Sequence, residues 1–276
     1  MTNHAQVGLI LLKIFFMKRY LVLVFCPLLL WSTPKNPEAL WGAKGHRVVG
    51  ELAAQQISKR TSKKISALMD GVSLAQLSTY ADDIKSDKRF REYGPWHYAN
   101  IKLDETYTES KKNEKGDIVR AIKKCIEVLK DSKTERGEKQ FHLKLLIHFV
   151  GDIHQPMHLA KPTDRGGNDV KIKWFGRNSN LHRLWDSDMI EDYGMSYTEF
   201  TANLPKITPS ERNQIKQAPL IVWVNESQEL AKQIYASLPE NTNLGYRYRY
   251  DHFKEVRMQL LKGGLRLAAL LDQIFK

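Results

Sequence analysis

Residues 140–158 read Gln140-Phe-His-Leu-Lys-Leu-Leu-Ile-His148-Phe-Val-Gly-Asp152-Ile-His154-Gln-Pro-Met-His158, and this stretch decides the fold class. From Gln140 to Ile153 the apolar residues Phe141, Leu143, Leu145, Leu146, Ile147, Phe149 and Val150 leave almost no polar face, which predicts a central, buried helix. His148 and Asp152 are four positions apart and so share one side of it. An imidazole nitrogen and a carboxylate oxygen are both good zinc ligands, and a rigid buried helix lowers the cost of ordering them. Pro156 ends the helix and lets His158 point elsewhere. His154, two residues from Asp152, faces away and is read as structural, as is His142.

The flanking sequence continues the helical theme. Residues 45–70 carry Val48, Val49, Leu52, Ala53, Ile57, Ile65 and Leu68 mostly at spacings of three and four, interrupted over 58–63, which predicts one broken helix or two short ones. Further helices are predicted over 118–129, 180–190, 223–238 and 251–274, the last despite Gly263-Gly264. Only 170–175 alternates like a strand, after a turn-forming cluster at 163–168, with Gly176 and Asn178 as candidate turn residues. The class is all-α: a single mainly helical domain over 41–276, with a short β-hairpin at most.

Ahead of that domain, Met17-Lys18-Arg19 precedes an apolar run from Tyr20 to Trp31 and then a Pro- and Ser-containing stretch. This is the order of a secretory signal, and the run is shorter than the about 20 residues a spanning helix needs. Residues 1–40 are therefore read as an upstream extension plus a removed signal peptide. The mature chain is expected to be secreted or periplasmic, without stable membrane insertion. The competing reading is a retained anchor, or a lipid attached at Cys26. Without Cys26, Cys125 is the one cysteine left, so stability must come from packing and metal rather than a disulfide. The net charge of +12 becomes +9 without residues 1–40 (39 basic against 30 acidic), which suits a polyanionic substrate.

The His-x-x-x-Asp spacing recurs in Asn180-Leu-His182-Arg-Leu-Trp-Asp186. One such pair is commonly a structural hydrogen bond; two beside His158 point to a metal cluster. Upstream, Tyr80-Ala-Asp82-Asp83-Ile-Lys85 and Pro95-Trp-His97-Tyr-Ala-Asn100 add a carboxylate and an imidazole, with Asp83 an alternative to Asp82.

Trp41-Gly-x-x-Gly-His46, Ala-Asp82, Trp-His97-Tyr, His148-Phe-x-Gly-Asp152-x-His-Gln-Pro-x-His158 and Asn-Leu-His182-x-x-Trp-Asp186 occur in that order. This series resembles the zinc-dependent single-strand nuclease and 3′-nucleotidase family of nucleases S-one and P-one, in the phospholipase C-like superfamily. The resemblance implies three zinc ions: one on Asp82, His97, His148 and Asp152, one on His158, His182 and Asp186, and one on Trp41, His46 and bridging Asp152. It implies in-line hydrolysis at phosphorus with release of 5′-mononucleotides, Asp82 and Lys85 belonging to the catalytic centre and Lys85 steadying phosphoryl charge as a point charge. It further implies that Tyr98 stacks on a base and Asn100 bonds its edge, which favours single-stranded DNA, RNA and 3′-nucleotides over duplex. No obligate protein partner is expected. Two other readings are a zinc phospholipase C acting on phospholipid head groups and a zinc-storage or nucleic-acid-binding protein without turnover.

Overall fold

The buried helix expected around Asp152 is the axis of the molecule. In the computed structural model, which describes residues 42–276, it spans Arg136–Asp152 and every residue from Leu145 to Asp152 is buried. Trp41 and the export segment expected at residues 1–40, Cys26 included, lie outside the described residues.

Among the described residues, seven α-helices have nine residues or more: α1 (Ala43–Gln56), α2 (Lys59–Leu68), α3 (Ile118–Lys130), α4 (Arg136–Asp152), α5 (Pro209–Gln217), α6 (Leu220–Ala236) and α7 (Tyr246–Ile274). They build a single mainly helical domain. The interrupted pattern over 45–70 resolves into two helices, and the break falls where Ser58 turns its hydroxyl to accept from Thr61 N at 3.2 Å and caps α2. Residues 197–202 and α5 escaped the periodicity reading because they are short. Each starts with a reciprocal capping box, Ser196 with Glu199 and Thr208 with Glu211, and that spacing is the signal that marks them.

The longest helix, α7, runs along α1 in the most extensive helix–helix contact of the fold. Glycine inside a helix costs about 1 kcal/mol relative to alanine. At position 264 that cost has a reason: a Cβ there would lie 2.6 Å from Leu52 Cδ2 and 2.7 Å from Leu52 Cβ. The missing side chain is what lets α7 lie against α1, which carries His46.

The predicted hairpin is present as β1 (Lys171–Trp174) and β2 (Arg177–Asn180). Phe175 and Gly176 form its turn with φ of 49° and 77°, the positive values a tight hairpin requires. Asn178, considered for the turn, instead pairs with Lys173 inside the ladder. A two-residue strand, β3 (Asn243–Leu244), joins β1 in parallel. No helix among the described residues is long and apolar enough to cross a membrane. Cys125 is a buried free thiol.

Candidate metal centre

Six separate pieces of chain, α4 among them, bring imidazoles and carboxylates together at the end of α4. His148 and Asp152 come from its last turns, His46 from the first turn of α1, and Asp82 from the helical turn Tyr80–Asp83. His97 closes a 3-10 stretch, Lys88–His97. His158 lies on the turn that begins at Pro156. His182 sits on the short helical turn Leu181–Arg183, and Asp186 inside the π turn Leu184–Asp188. The second pair thus departs from plain α-helical spacing, yet still converges.

Three groups result, and in each the candidate ligand atoms all lie within 4.8 Å of one another: His97, His148 and Asp152; His46, Asp82 and His148; and His158, His182 and Asp186. In the first, His97 Nδ1 and His148 Nε2 approach Asp152 Oδ2 at 2.8 and 3.1 Å and each other at 3.2 Å. Asp82 Oδ1 is 3.4 Å from His148 Nε2 and 3.9 Å from His97 Nδ1, so the four-residue set read from sequence comes together. A tetrahedral zinc with bonds of 2.0–2.1 Å separates its ligands by about 3.3 Å, in the middle of these distances. The other Asp152 oxygen is 3.3 Å from His46 Nε2, placing this carboxylate between neighbouring groups. Asp83 turns away to accept from the Thr79 hydroxyl at 3.2 Å, which separates it from Asp82.

Backbone carbonyls set the imidazole tautomers. His148, His158 and His182 each donate from Nδ1, to Ser78 O at 2.7 Å, His97 O at 2.7 Å and Gly166 O at 2.9 Å. Each therefore turns its Nε2 inward, the arrangement found behind metal-bound histidines. His182 Nε2 and Asp186 Oδ2 are buried with no hydrogen-bond partner among the described residues. Such atoms are costly unless a cation or proton meets them. The donor set fits a divalent zinc-like ion.

The charges point the same way. Burial, with Lys85 nearby for His97 and His158 for His182, pushes both imidazoles down to about 3. Burial also drives Asp186 up to about 7, with His158 partly opposing it. For Asp152 burial acts upward, but the imidazoles of His148 and His158 reverse it and hold the carboxyl well below the usual range. A protein-only centre thus has carboxylates and imidazoles competing for a few protons, the role a bound cation takes over.

Sequence reasoning passed over Gln155. It is fully buried, donates from Nε2 to Asp186 Oδ1 at 3.1 Å and accepts from Met157 N at 2.5 Å, so it orients Asp186. Its place inside His-Gln-Pro was the available signal. His154, by contrast, donates to Val150 O at 2.7 Å and accepts from buried Arg266 at 2.9 Å, away from the cluster.

Lys85 lies at the rim, its ammonium 2.7 Å from Asp82 Oδ1. Tyr98 and Asn100 line a cavity of about 220 Å³ with Tyr107 and Lys112. Tyr98 is 37% exposed, so its ring is not ordinary core. The strand-like segment that carries them is tied to the centre: Ala99 N donates to His158 O at 2.9 Å and Ile101 N to Ala160 O at 3.0 Å.

Residues 41–276 match the family described as S1/P1 Nuclease. The chain is 28% identical to Endonuclease 2 of Arabidopsis thaliana over 85% of this chain and 90% of that protein. It is 29% identical to Endonuclease 4 of the same plant over 87% and 91%, and 26% identical to Nuclease S1 of Aspergillus oryzae over 85% and 91%. The ordered motifs, their convergence at the end of α4 and the match across the whole helical domain lead to one conclusion: the chain belongs to the S1/P1 nuclease family.

Proposed function

We propose that the chain is an exported, zinc-dependent phosphodiesterase that hydrolyses single-stranded DNA and RNA to 5′-nucleotides and also acts on 3′-nucleotides. Family membership makes it a nuclease, an ester-bond hydrolase. The observation that carries the finer reading is the convergence of three His/Asp groups with inward-facing Nε2 atoms.

Asp82, His97, His148 and Asp152 would hold one ion, and His158, His182 and Asp186 a second. His46, the shared Asp152 and Trp41 would hold a third. For Trp41 the support is the family resemblance and the tether of its neighbour, since Gly42 N donates to Asp186 O at 2.8 Å. Removal of residues 1–40 as an export segment is part of this reading. Bound zinc supplies activation of water near neutral pH and neutralisation of phosphoryl charge.

This chain's own residues do the rest. Asp82 anchors Lys85 where its ammonium reaches phosphoryl oxygens at the rim, adding a point charge as negative charge builds on phosphorus. Tyr98 offers a face to an unpaired base and Asn100 an amide to its edge, both registered to the centre through the bonds of Ala99 to His158 and Ile101 to Ala160. A base must leave the duplex stack to use that face, hence the preference for single strands. A base-sized polar cavity beside the centre favours nucleotides over phospholipid head groups.

The test is hydrolysis of single-stranded DNA, RNA and a 3′-mononucleotide by protein starting at Trp41, after chelation and with zinc restored. Zinc-dependent release of 5′-mononucleotides, lost together with bound zinc in Asp152→Asn, is the expected result. Full zinc and full activity in Asp152→Asn would remove the bridging role.

A further inference from the structure

Six large hydrophobic or aromatic side chains are exposed among the described residues, and four of them, Phe175, Tyr193, Tyr246 and Tyr250, gather in one place. The three tyrosines border a groove of about 490 Å³ along the first turns of α7, and Phe175 packs edge-on against Tyr246 with ring centroids 4.7 Å apart. Tyr246 and Tyr250 are 73% and 81% exposed, so most of each ring's surface is open to solvent, with Arg247 6.0 Å from the Tyr250 centroid. Spaced by four, they stand about 6 Å apart along one side of the helix.

Arg249 sits among these rings, with its guanidinium carbon 5.2 Å from the Tyr246 centroid, 5.5 Å from Tyr193 and 5.9 Å from Phe175. It donates to Asp192 O at 3.1 Å, which holds it in place without cancelling its charge. Arg257, also on the groove, donates to the Asn203 carbonyl. Among the described residues, neither arginine has a carboxylate within ion-pair distance. The carboxylates nearby are engaged: Asp192 with Trp174 and Arg177, Asp251 with Arg247 at 2.8 Å, and Glu255 beside Lys254 at 3.5 Å.

Guanidinium groups without a carboxylate partner, interleaved with exposed aromatic rings, are the chemistry that binds a single nucleic-acid strand, with phosphates on the charges and bases on the rings. Tyrosine and arginine also mark protein interfaces, but the net charge of +12 and the nuclease family favour a polyanionic strand here. The groove is separate from the Tyr98 cavity. Tyr248, on the opposite side of the same helical turns, accepts a hydrogen bond at 3.0 Å from Trp185, the residue before Asp186.

We propose that the Tyr246–Tyr250–Arg249 groove is a second contact for single-stranded nucleic acid, holding strands that extend beyond the metal centre. This rests on the nuclease reading, because its purpose is to retain long substrates. Short substrates do not reach it, so it acts on affinity for length and not on the chemical step.

The experiment compares wild-type holoenzyme with Tyr246→Ala/Tyr250→Ala and with Arg249→Gln. Fluorescence anisotropy reads binding of a cleavage-resistant phosphorothioate oligothymidylate of about 20 nucleotides, and hydrolysis of a dinucleotide reads the chemical step. The tyrosine pair is exposed, and a melting curve checks that its removal leaves the fold intact. Loss of about tenfold in affinity for the long strand, with dinucleotide hydrolysis unchanged, upholds the proposal. Unchanged long-strand affinity overturns it. So does a groove whose variants lose only binding to phosphatidylglycerol vesicles, which would make it a lipid contact. A wild-type enzyme that hydrolyses no dinucleotide overturns the nuclease reading instead, and the binding difference still upholds the groove.

Discussion

Alanine at position 151 tests how tightly the centre is built. Gly151 lies one residue before Asp152, and a Cβ there would stand 2.6 Å from His46 Nδ1 and 3.0 Å from its Cε1. Relaxed contacts between such atoms are about 3.5 Å, so the His46 ring must retreat by about 1 Å. That retreat takes it off its stack on His148, where the ring centroids are 3.8 Å apart, and lengthens the 3.3 Å approach of His46 Nε2 to Asp152 Oδ1. Metal sites tolerate ligand errors of about 0.2 Å, so on the proposed reading His46 would be withdrawn from coordination. Overpacking costs about 1–3 kcal/mol and alanine recovers about 1 kcal/mol of helix propensity, so the fold survives with a loss of about 0–2 kcal/mol. Elemental analysis of dialysed Gly151→Ala should show about one zinc fewer per chain than wild type. Hydrolysis of single-stranded DNA should fall about 100-fold, the scale of a 1 Å misplacement. A variant that melts like wild type and keeps both its zinc and its turnover would refute the reasoning.

Two other outcomes follow from the same coordinates. Gln155→Ala removes the 3.1 Å bond to Asp186 Oδ1 and should weaken zinc retention or activity about 10–100-fold; a competition titration against a chelator reads it, and unchanged affinity would show that Asp186 needs no orienting partner. Glu226 accepts from buried Arg266 at 2.8 Å and from Lys262 at 2.9 Å; burial raises its carboxyl, and those two cations more than reverse this, leaving it below its ordinary value. Its stabilisation is therefore present above the unfolded carboxylate pKa of about 4.3 and is lost as pH falls through the folded value. Glu226→Gln should melt below wild type at neutral pH, with the gap closing under about pH 4, and a gap independent of pH would contradict the assignment.

Most of the centre was legible because its chemistry is written in short spacings. His148 and Asp152 are one helical turn apart, and the same interval recurs at His182 and Asp186, so residue type and period together mark the candidate ligands. The helix that carries the first pair could be read because its apolar residues go all the way round. The short helix over 197–202 and α5 were hidden from periodicity, since they bury little and are held by caps. Strand β3 pairs with β1 across a sequence gap that no local pattern spans.

Other features required the chain to fold. Asp82 and Asp83 are chemically identical neighbours, and only the turn at 80–83 directs one to His148 and the other to Thr79. The inward Nε2 of His148, His158 and His182 depends on carbonyls of Ser78, His97 and Gly166, each at least 16 residues away. Gln155 acquires its partner from 31 residues downstream, and the aromatic groove joins Tyr193 to the start of α7. Residue identity and spacing state which atoms can bind; tertiary packing decides where their lone pairs and charges point, because orientation comes from contacts between segments far apart in the chain.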